Sequence, residues 1–234
     1  MIAGITRVRN CEGYIVDTLK HFAQFCDQIY LYDDCSTDNT PTLAYEFGAI
    51  VIRGKEWGKD RQVEEYKTRQ TILNVARQDD PDWILYFDAD ERIDWDWKGY
   101  EEYDAVRMKL YDFYITSADK SKTYKDRQFI GPEYRRITML YRNNPEYGYF
   151  YADQREASTP NARVLDAGSV KHYGKAISVE DFERKCEYYA THFPEPYRSK
   201  WANRKGKAIH THSDFGRELC TWKDRDLFSL PMEG

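Results

Sequence analysis

No stretch of this sequence approaches the roughly 18 consecutive apolar residues of a membrane span, and its first residues show no basic-then-apolar leader. Both absences predict a soluble, cytoplasmic protein. Cysteine is sparse: Cys11, Cys26, Cys35, Cys186 and Cys220 are odd in number and form no CxxC pair. A disulfide framework and a zinc site are therefore unsupported, and reduced thiols are expected. No GxGxxG and no GxxxxGK[ST] loop is present, which argues against a dinucleotide Rossmann site and a P-loop. Positive charge is not in excess either. The net charge of −5 gives no pull toward nucleic acid or an anionic membrane. There is no internal repeat, low-complexity tract or clear linker.

What is present is a globular balance of 41% hydrophobic and 32% charged residues over 234 positions, enough for one large α/β domain or two small ones. The economical reading is one domain with a first half over 1–95 and a second over 96–234. Aromatics reach 16%, with 20 Tyr and 6 Trp. Such residues suit the stacking of flat rings or sugars, but Tyr serves equally as amphipathic core.

Along the first half, strand and helix patterns alternate. Met1 to Val8 reads as a strand, Glu12 to Phe25 as a helix, Gln28 to Tyr32 as a strand, Pro41 to Phe47 as a helix stopped by Gly48, and Ala49 to Ile52 as a strand. Ser36, Thr37 or Asp38 can cap the second helix. A polar, mobile loop is expected from Arg53 to Arg61. The next helix, Val63 to Ala76, turns Tyr66, Ile72, Leu73 and Ala76 to the core and points Arg69 elsewhere. This order calls for a parallel sheet with right-handed crossovers. Trp83-Ile84-Leu85-Tyr86-Phe87 then forms a short apolar strand buried on both faces, ending in Asp88, Asp90 and Glu91. Open α/β sheets place ligands at that carboxyl edge. Three carboxylates so close repel unless a cation joins them, and oxygen-only ligands suit Mg²⁺ or Mn²⁺.

The second half is more strand-rich. Ala105 to Thr116, Arg135 to Arg142 and Arg163 to Lys171 read as strands of a mixed or antiparallel extension, with a break at Gly131-Pro132 and a Tyr-rich loop from Asn143 to Ala157. Val179 to Thr191 is a helix capped by Ser178, with Asp181 in the capping-box position. The basic tail around Arg198 to Lys207 reads as a solvated helix face, with contact to an anionic acceptor or to the periphery of a membrane as the alternative. His210 and His212 lack a third ligand in register.

Three segments carry a family resemblance: Thr6-Arg7-Val8-Arg9-Asn10, Asp33-Asp34-Cys35-Ser36-Thr37-Asp38-Asn39-Thr40 and Phe87-Asp88-Ala89-Asp90-Glu91. In this order they resemble the family 2 glycosyltransferases, with Cys35 and Asn39 where the family commonly has glycine. Arg69 matches the Arg of the family's Arg-Asn pair, with Gln70 in place of Asn. Arg155-Glu156 and Lys171-His172-Tyr173-Gly174 are similar to the His-Glu and His-Tyr-Gly motifs of the lipopolysaccharide-core branch, with Arg155 in place of the His.

The resemblance implies a GT-A fold of α/β class and a metal-dependent, inverting transfer from a nucleoside-diphosphate sugar, a UDP- or GDP-sugar by family habit, to a hydroxyl acceptor on a glycan, lipid-linked saccharide or glycoprotein. It implies that Thr6, Arg9 and Asp33 or Asp34 hold the nucleoside, and that Asp88 and Asp90 form a DXD pair carrying Mn²⁺ or Mg²⁺ against the diphosphate. Arg69 would add fixed positive charge there. His172 would be a further metal ligand or a phosphate donor. Glu156 is the implied base for the acceptor hydroxyl, with Asp153 and Glu91 as rivals. Two other readings stay open: a metal-dependent phosphohydrolase, against which the Arg-Asn end of the first strand speaks, and a non-catalytic sugar- or nucleotide-binding module.

Overall fold

The computed structural model describes residues 1–54, 61–151 and 154–232. Asp153 and most of the loop expected between Arg53 and Arg61 lie outside the described residues. The chain forms two compact units, Met1–Met108 with Ile137–Gly168, and Lys109–Arg136 with Ser169–Gly234.

The first unit is built on parallel strands. β1 (Ile2–Val8) pairs in parallel with β2 (Gln28–Asp33) and with β4 (Trp83–Tyr86), and β2 pairs in parallel with β3 (Ile50–Arg53). The sheet continues with β5 (Glu91–Asp94), β6 (Ala105–Phe113), β7 (Phe129–Arg142) and β8 (Val164–His172), in the order β3-β2-β1-β4-β7-β6-β8-β5. β7 runs antiparallel to β4. This is the mixed α/β, mostly parallel arrangement that the β-α-β order calls for. All four residues of β4 are buried, as an interior strand covered on both faces requires.

The helices lie where the periodicity sets them. α1 (Ile15–Phe22) buries Ile15, Leu19 and Phe22, and the Phe22 ring stacks on Phe87 at 3.6 Å between centroids. α2 (Thr40–Phe47) ends at Gly48, whose φ of 104° is open to glycine at no steric cost. α3 (Arg61–Ala76) sends Ile72, Leu73 and Ala76 into a core with Ala3, Ile5, Tyr30, Ile84 and Tyr86.

Four local expectations change. Arg69 does not point away from the core. It is only 6% exposed, because an acceptor, the Tyr86 hydroxyl, waits on the β4 side. Glu91, expected at the acidic end of the fourth strand, opens a strand of its own, β5. The N-cap of α2 is Asn39, with the Asp38 carboxylate accepting from the Thr40 N–H one step earlier. Gly131-Pro132 does not break the chain but lies inside β7. β9 (Cys220–Thr221) pairs with Phe129 and Ile130, and β10 (Leu230–Pro231) with Glu133 and Tyr134. Pro132 falls between these pairings, where neither short partner needs its missing N–H.

In the second unit, α4 (Val179–His192) is capped by Ser178 as expected: the hydroxyl accepts from the Asp181 N–H at 3.0 Å and donates to the Asp181 carboxylate at 2.9 Å. Phe182 and Cys186 of α4 pack with Trp201 of α5 (Tyr197–Ala202). α6 (Arg225–Phe228) follows β9.

The same unit holds a part-buried ion network around the buried Lys175. Lys175 Nζ donates to Asp112 at 2.9 Å and to Asp214 at 2.5 Å, and Asp112 also meets His172 Nδ1 at 2.5 Å. Burial alone would raise the Asp112 carboxyl, but Lys175 and His172 outweigh it and hold it well below its ordinary range. A depressed carboxylate contributes stability above its unfolded value of 3.8 that is lost as pH falls through the lower folded value. Asp112→Asn is therefore expected to cost about 2–4 kcal/mol at neutral pH. In thermal melts against pH, the gap between the two proteins should close as acidification protonates the wild-type carboxylate.

Candidate active site

The chemistry-bearing residues of the first unit gather at the carboxyl end of β4. There the chain turns from Tyr86 through Phe87, Asp88, Ala89 and Asp90 into β5. The turn is pinned from α1: Thr18 Oγ1 donates to the Ala89 carbonyl at 2.6 Å. Glu91 folds back, and its carboxylate accepts from the Asp88 N–H at 3.0 Å. Asp88 and Asp90 are part-exposed, and Glu91 is fully buried.

A relay of hydrogen bonds fixes Asp88. Arg69 Nε donates to the Tyr86 hydroxyl at 2.8 Å, and that hydroxyl donates to Asp88 Oδ1 at 2.7 Å. Burial drives the Tyr86 hydroxyl well above its ordinary value, so it keeps the proton it donates. Burial opposes the Arg69 charge, but Tyr86, Asp88 and Glu65 outweigh it and push the guanidinium further up. Arg69 Nη1 also reaches the Gln154 carbonyl at 3.2 Å and Glu65 at 3.5 Å.

From the other side comes Arg155. Its Nε stands 3.4 Å from Asp88 Oδ2, and its Nη2 is paired with Glu91. Burial disfavours this charge too, but Glu91 and Asp88 prevail and raise it. The cation expected among the acidic side chains thus includes a protein one, joining two of the three carboxylates. Arg155 Nη1 is buried with no hydrogen-bond partner among the described residues.

Glu156 lies next in the chain. Its Oε2 accepts from the Thr138 N–H at 2.6 Å. β4 and β7 pair Trp83 with Arg142, Ile84 with Tyr141 and Leu85 with Leu140. Two steps further, this register sets Thr138 level with Phe87, just past the end of β4. The Glu156 carboxylate takes up the Thr138 N–H there and is thereby tied to β7.

The nucleoside candidates of the first two strands are placed as follows. Thr6 is fully buried in β1, and its Oγ1 has no partner. Arg9 Nη1 donates to the carbonyls of Asp34 and Cys35, both at 2.7 Å. Asp33 is buried, accepts weakly from the Ser36 N–H at 3.3 Å and faces Arg53 at 3.4 Å. Asp34 is paired with Arg7, which also meets Glu65 at 3.1 Å. Cys35, standing where the family commonly has glycine, has a φ of 57°, the left-handed region that a side chain adopts at a cost. Asn39, at the other glycine position, has a φ of −81° that any residue accepts.

His172 belongs to the second unit, with its Nδ1 on Asp112. His210 bonds the Ala208 carbonyl at 2.8 Å, and burial lowers its pKa. Among the described residues no three His, Cys, Asp or Glu side chains converge in a way that would hold a metal ion.

Sequence reasoning missed Tyr86, Arg155 as a partner of Asp88, and Asp112. Tyr86 reads as one more apolar residue of a buried strand, and Arg155 is 67 positions from Asp88 by sequence number. Only the spacing in β6 hinted at Asp112, since it is the polar residue between Tyr111 and Phe113.

The profile described as glycosyl transferase family 2 matches residues 5–152, well over half of the chain. The chain belongs to glycosyl transferase family 2. Family membership covers Thr6, Arg9, Asp33, Asp34, Arg69, Asp88 and Asp90, while Arg155, Glu156 and His172 lie beyond the match. An uncharacterized protein of Mycobacterium tuberculosis is 29% identical over 103 residues, 41% of this chain and 24% of its own length, and one of Mycobacterium bovis matches to the same extent. This chain thus spans about a quarter of the length of the curated relatives it matches. Among solved structures, TarS of S. aureus aligns with a TM-score of 0.47 at 18% identity, over 90% of this chain and 44% of TarS. Residues 1–349 of TarS in complex with UDP-GlcNAc align at 0.46 and 16% identity, over 87% and 72% of the two chains. Mannosyl-3-phosphoglycerate synthase from Rubrobacter xylanophilus aligns at 0.35 and 19% identity, over 52% and 42%. No helix among the described residues is long and apolar enough to cross a membrane.

Proposed function

We propose that this chain transfers a sugar from a nucleoside-diphosphate sugar to a hydroxyl acceptor, with inversion, at the carboxyl end of β4. The observation that supports this reading best is the fixed Asp88, set between the Tyr86 hydroxyl and Arg155, in a chain of family 2. The likeness of Arg155-Glu156 and His172-Tyr173-Gly174 to the lipopolysaccharide-core branch favours a glycan or lipid-linked saccharide as acceptor, with a glycoprotein as the alternative.

Asp88 and Asp90 suit Mg²⁺ or Mn²⁺ in the chemistry of their donors. They offer oxygen only, and they are two, which is the number Mg²⁺ takes from a protein when phosphates complete its shell. Such an ion, when bound, supplies Lewis-acid stabilisation of the departing diphosphate. The remaining work falls to side chains. Arg69 acts from behind, through Tyr86, to hold the Asp88 carboxylate in one orientation. Asp33 and Asp34, at the end of β2, are assigned to the nucleoside with Thr6 and Arg9.

Glu156 takes the acceptor proton. The acceptor oxygen attacks the anomeric carbon as its O–H bond gives up the proton to the carboxylate. The bond from that carbon to the diphosphate oxygen breaks, and its electron pair leaves with the diphosphate. Oε2 is held by the Thr138 N–H, which fixes the carboxylate and leaves Oε1 to receive the proton. Glu91 suits this role less, because its carboxylate is fully buried and engaged with Asp88 N–H and Arg155.

Thermal stabilisation by UDP, GDP, ADP and CDP, each with and without Mn²⁺, tests the reading. One diphosphate is expected to raise the melting temperature in the presence of metal, and a ligand at about 100 times its Kd adds about 2.7 kcal/mol. Asp90→Asn is expected to remove the metal-dependent part. A flat response to all four nucleotides would remove the donor site and favour a binding module or a phosphohydrolase.

A further inference from the structure

Resting on the transferase reading above, we infer that Arg155, rather than Arg69, is the side chain that grips the diphosphate of the donor. The two guanidiniums approach Asp88 from opposite sides, but they are committed differently. Arg69 is 6% exposed. It directs Nε to Tyr86 and Nη1 to the Gln154 carbonyl and Glu65. Its charge is used inside the protein, and its link to the site runs through the Tyr86 hydroxyl.

Arg155 lies at the rim, with 23% of its side chain exposed. Nε faces Asp88 and Nη2 is bound to Glu91, but Nη1 is buried with no acceptor among the described residues. A charged donor without an acceptor is an expensive thing to bury, and it persists where another state supplies the acceptor. The geometry points to an anion beside Asp88. A small turn of the exposed side chain presents Nη1 to a phosphate oxygen, and the planar fork then offers two parallel bonds to it. Glu91 holds the other arm and keeps the guanidinium at the turn. Nε keeps Asp88 and Nη2 keeps Glu91, so an arriving diphosphate adds an acceptor for Nη1 and leaves both carboxylates paired.

Arg155 thus separates a nucleoside diphosphate from a monophosphate, and the test reads that preference. Titration calorimetry in Mn²⁺ with the diphosphate that the wild type binds, and with the matching monophosphate, gives the ratio of affinities. Arg155→Gln is expected to weaken the diphosphate by about tenfold or more and to leave the monophosphate unchanged. An unaltered ratio overturns the assignment, and so does an equal loss of both ligands, which marks a role in holding the turn alone. Arg155→Lys keeps the charge without the fork and carries the test if the Gln variant does not fold; its ratio is expected to fall as well, and an unchanged ratio counts against the assignment. A wild type that binds no nucleoside diphosphate overturns the donor reading and this assignment together. A wild type that binds one, with Arg155→Gln unaltered, overturns only the latter.

Discussion

Glu156→Gln is expected to lower kcat by about 100- to 10,000-fold while nucleotide and metal binding stay where they were. The amide is nearly isosteric with the carboxylate and can still accept from the Thr138 N–H, so the side chain keeps its place on β7. What it loses is the capacity to take a proton. A uniform loss of donor affinity is not expected, because no contact attributed to the donor runs through Glu156. Single-turnover transfer, set beside calorimetry for the nucleotide, separates the two effects. A variant that transfers at the wild-type rate removes Glu156 from the role and returns attention to Asp153. A variant that loses donor binding instead shows that its carboxylate shapes the turn.

Arg69→Met is expected to destabilise the fold by about 3 kcal/mol, because the charged hydrogen bonds of a buried guanidinium to the Tyr86 hydroxyl and the Gln154 carbonyl are lost and those groups are left behind. For a chain of this size that corresponds to a fall in melting temperature of roughly 6–12 °C. Methionine fills much of the volume, so the loss reports the charge and its hydrogen bonds rather than a cavity. Three acceptors lose a donor at once: the Tyr86 hydroxyl, the Gln154 carbonyl and Glu65. The Tyr86 hydroxyl still has Asp88 as its acceptor, but Asp88 is no longer oriented from behind. Metal-dependent nucleotide binding is therefore expected to weaken in the same variant, in step with the loss of order at Asp88. A melting temperature within a degree or two of the wild type would show that the Arg69 cluster contributes little to stability.

The parts of the fold legible in the sequence are those set by periodicity over neighbouring residues. β1, β2, β3 and β4 announce themselves as short apolar runs, and α1, α3 and α4 by residues spaced three and four apart. Gly48 and Ser178 mark a helix end and a helix start by local chemistry alone. Where the sequence misleads, the cause is a partner far along the chain. Gly131-Pro132 reads as a break until β9 and β10 are seen to pair on either side of it. Arg69 reads as pointing away from the core because nothing nearby in sequence tells that the hydroxyl of Tyr86 faces it. Glu91 reads as the last acidic residue at the end of a buried strand, yet it begins β5, with its carboxylate on the Asp88 N–H and Arg155.

The candidate site divides along the same line. By itself the sequence determined the family, through three short segments in order, and the pair Asp88 and Asp90 at the end of a buried strand. These are matters of residue type and local spacing, which a linear chain displays directly. Only the tertiary structure decided that Tyr86 and Arg69 hold Asp88 from one side and Arg155 from the other. It also decided that Glu156 is anchored to Thr138 where β4 ends. The physical reason is that a charge or hydroxyl is defined by whatever shares its low-dielectric surroundings. Those neighbours are brought together by strand register and crossover topology, which no local pattern encodes.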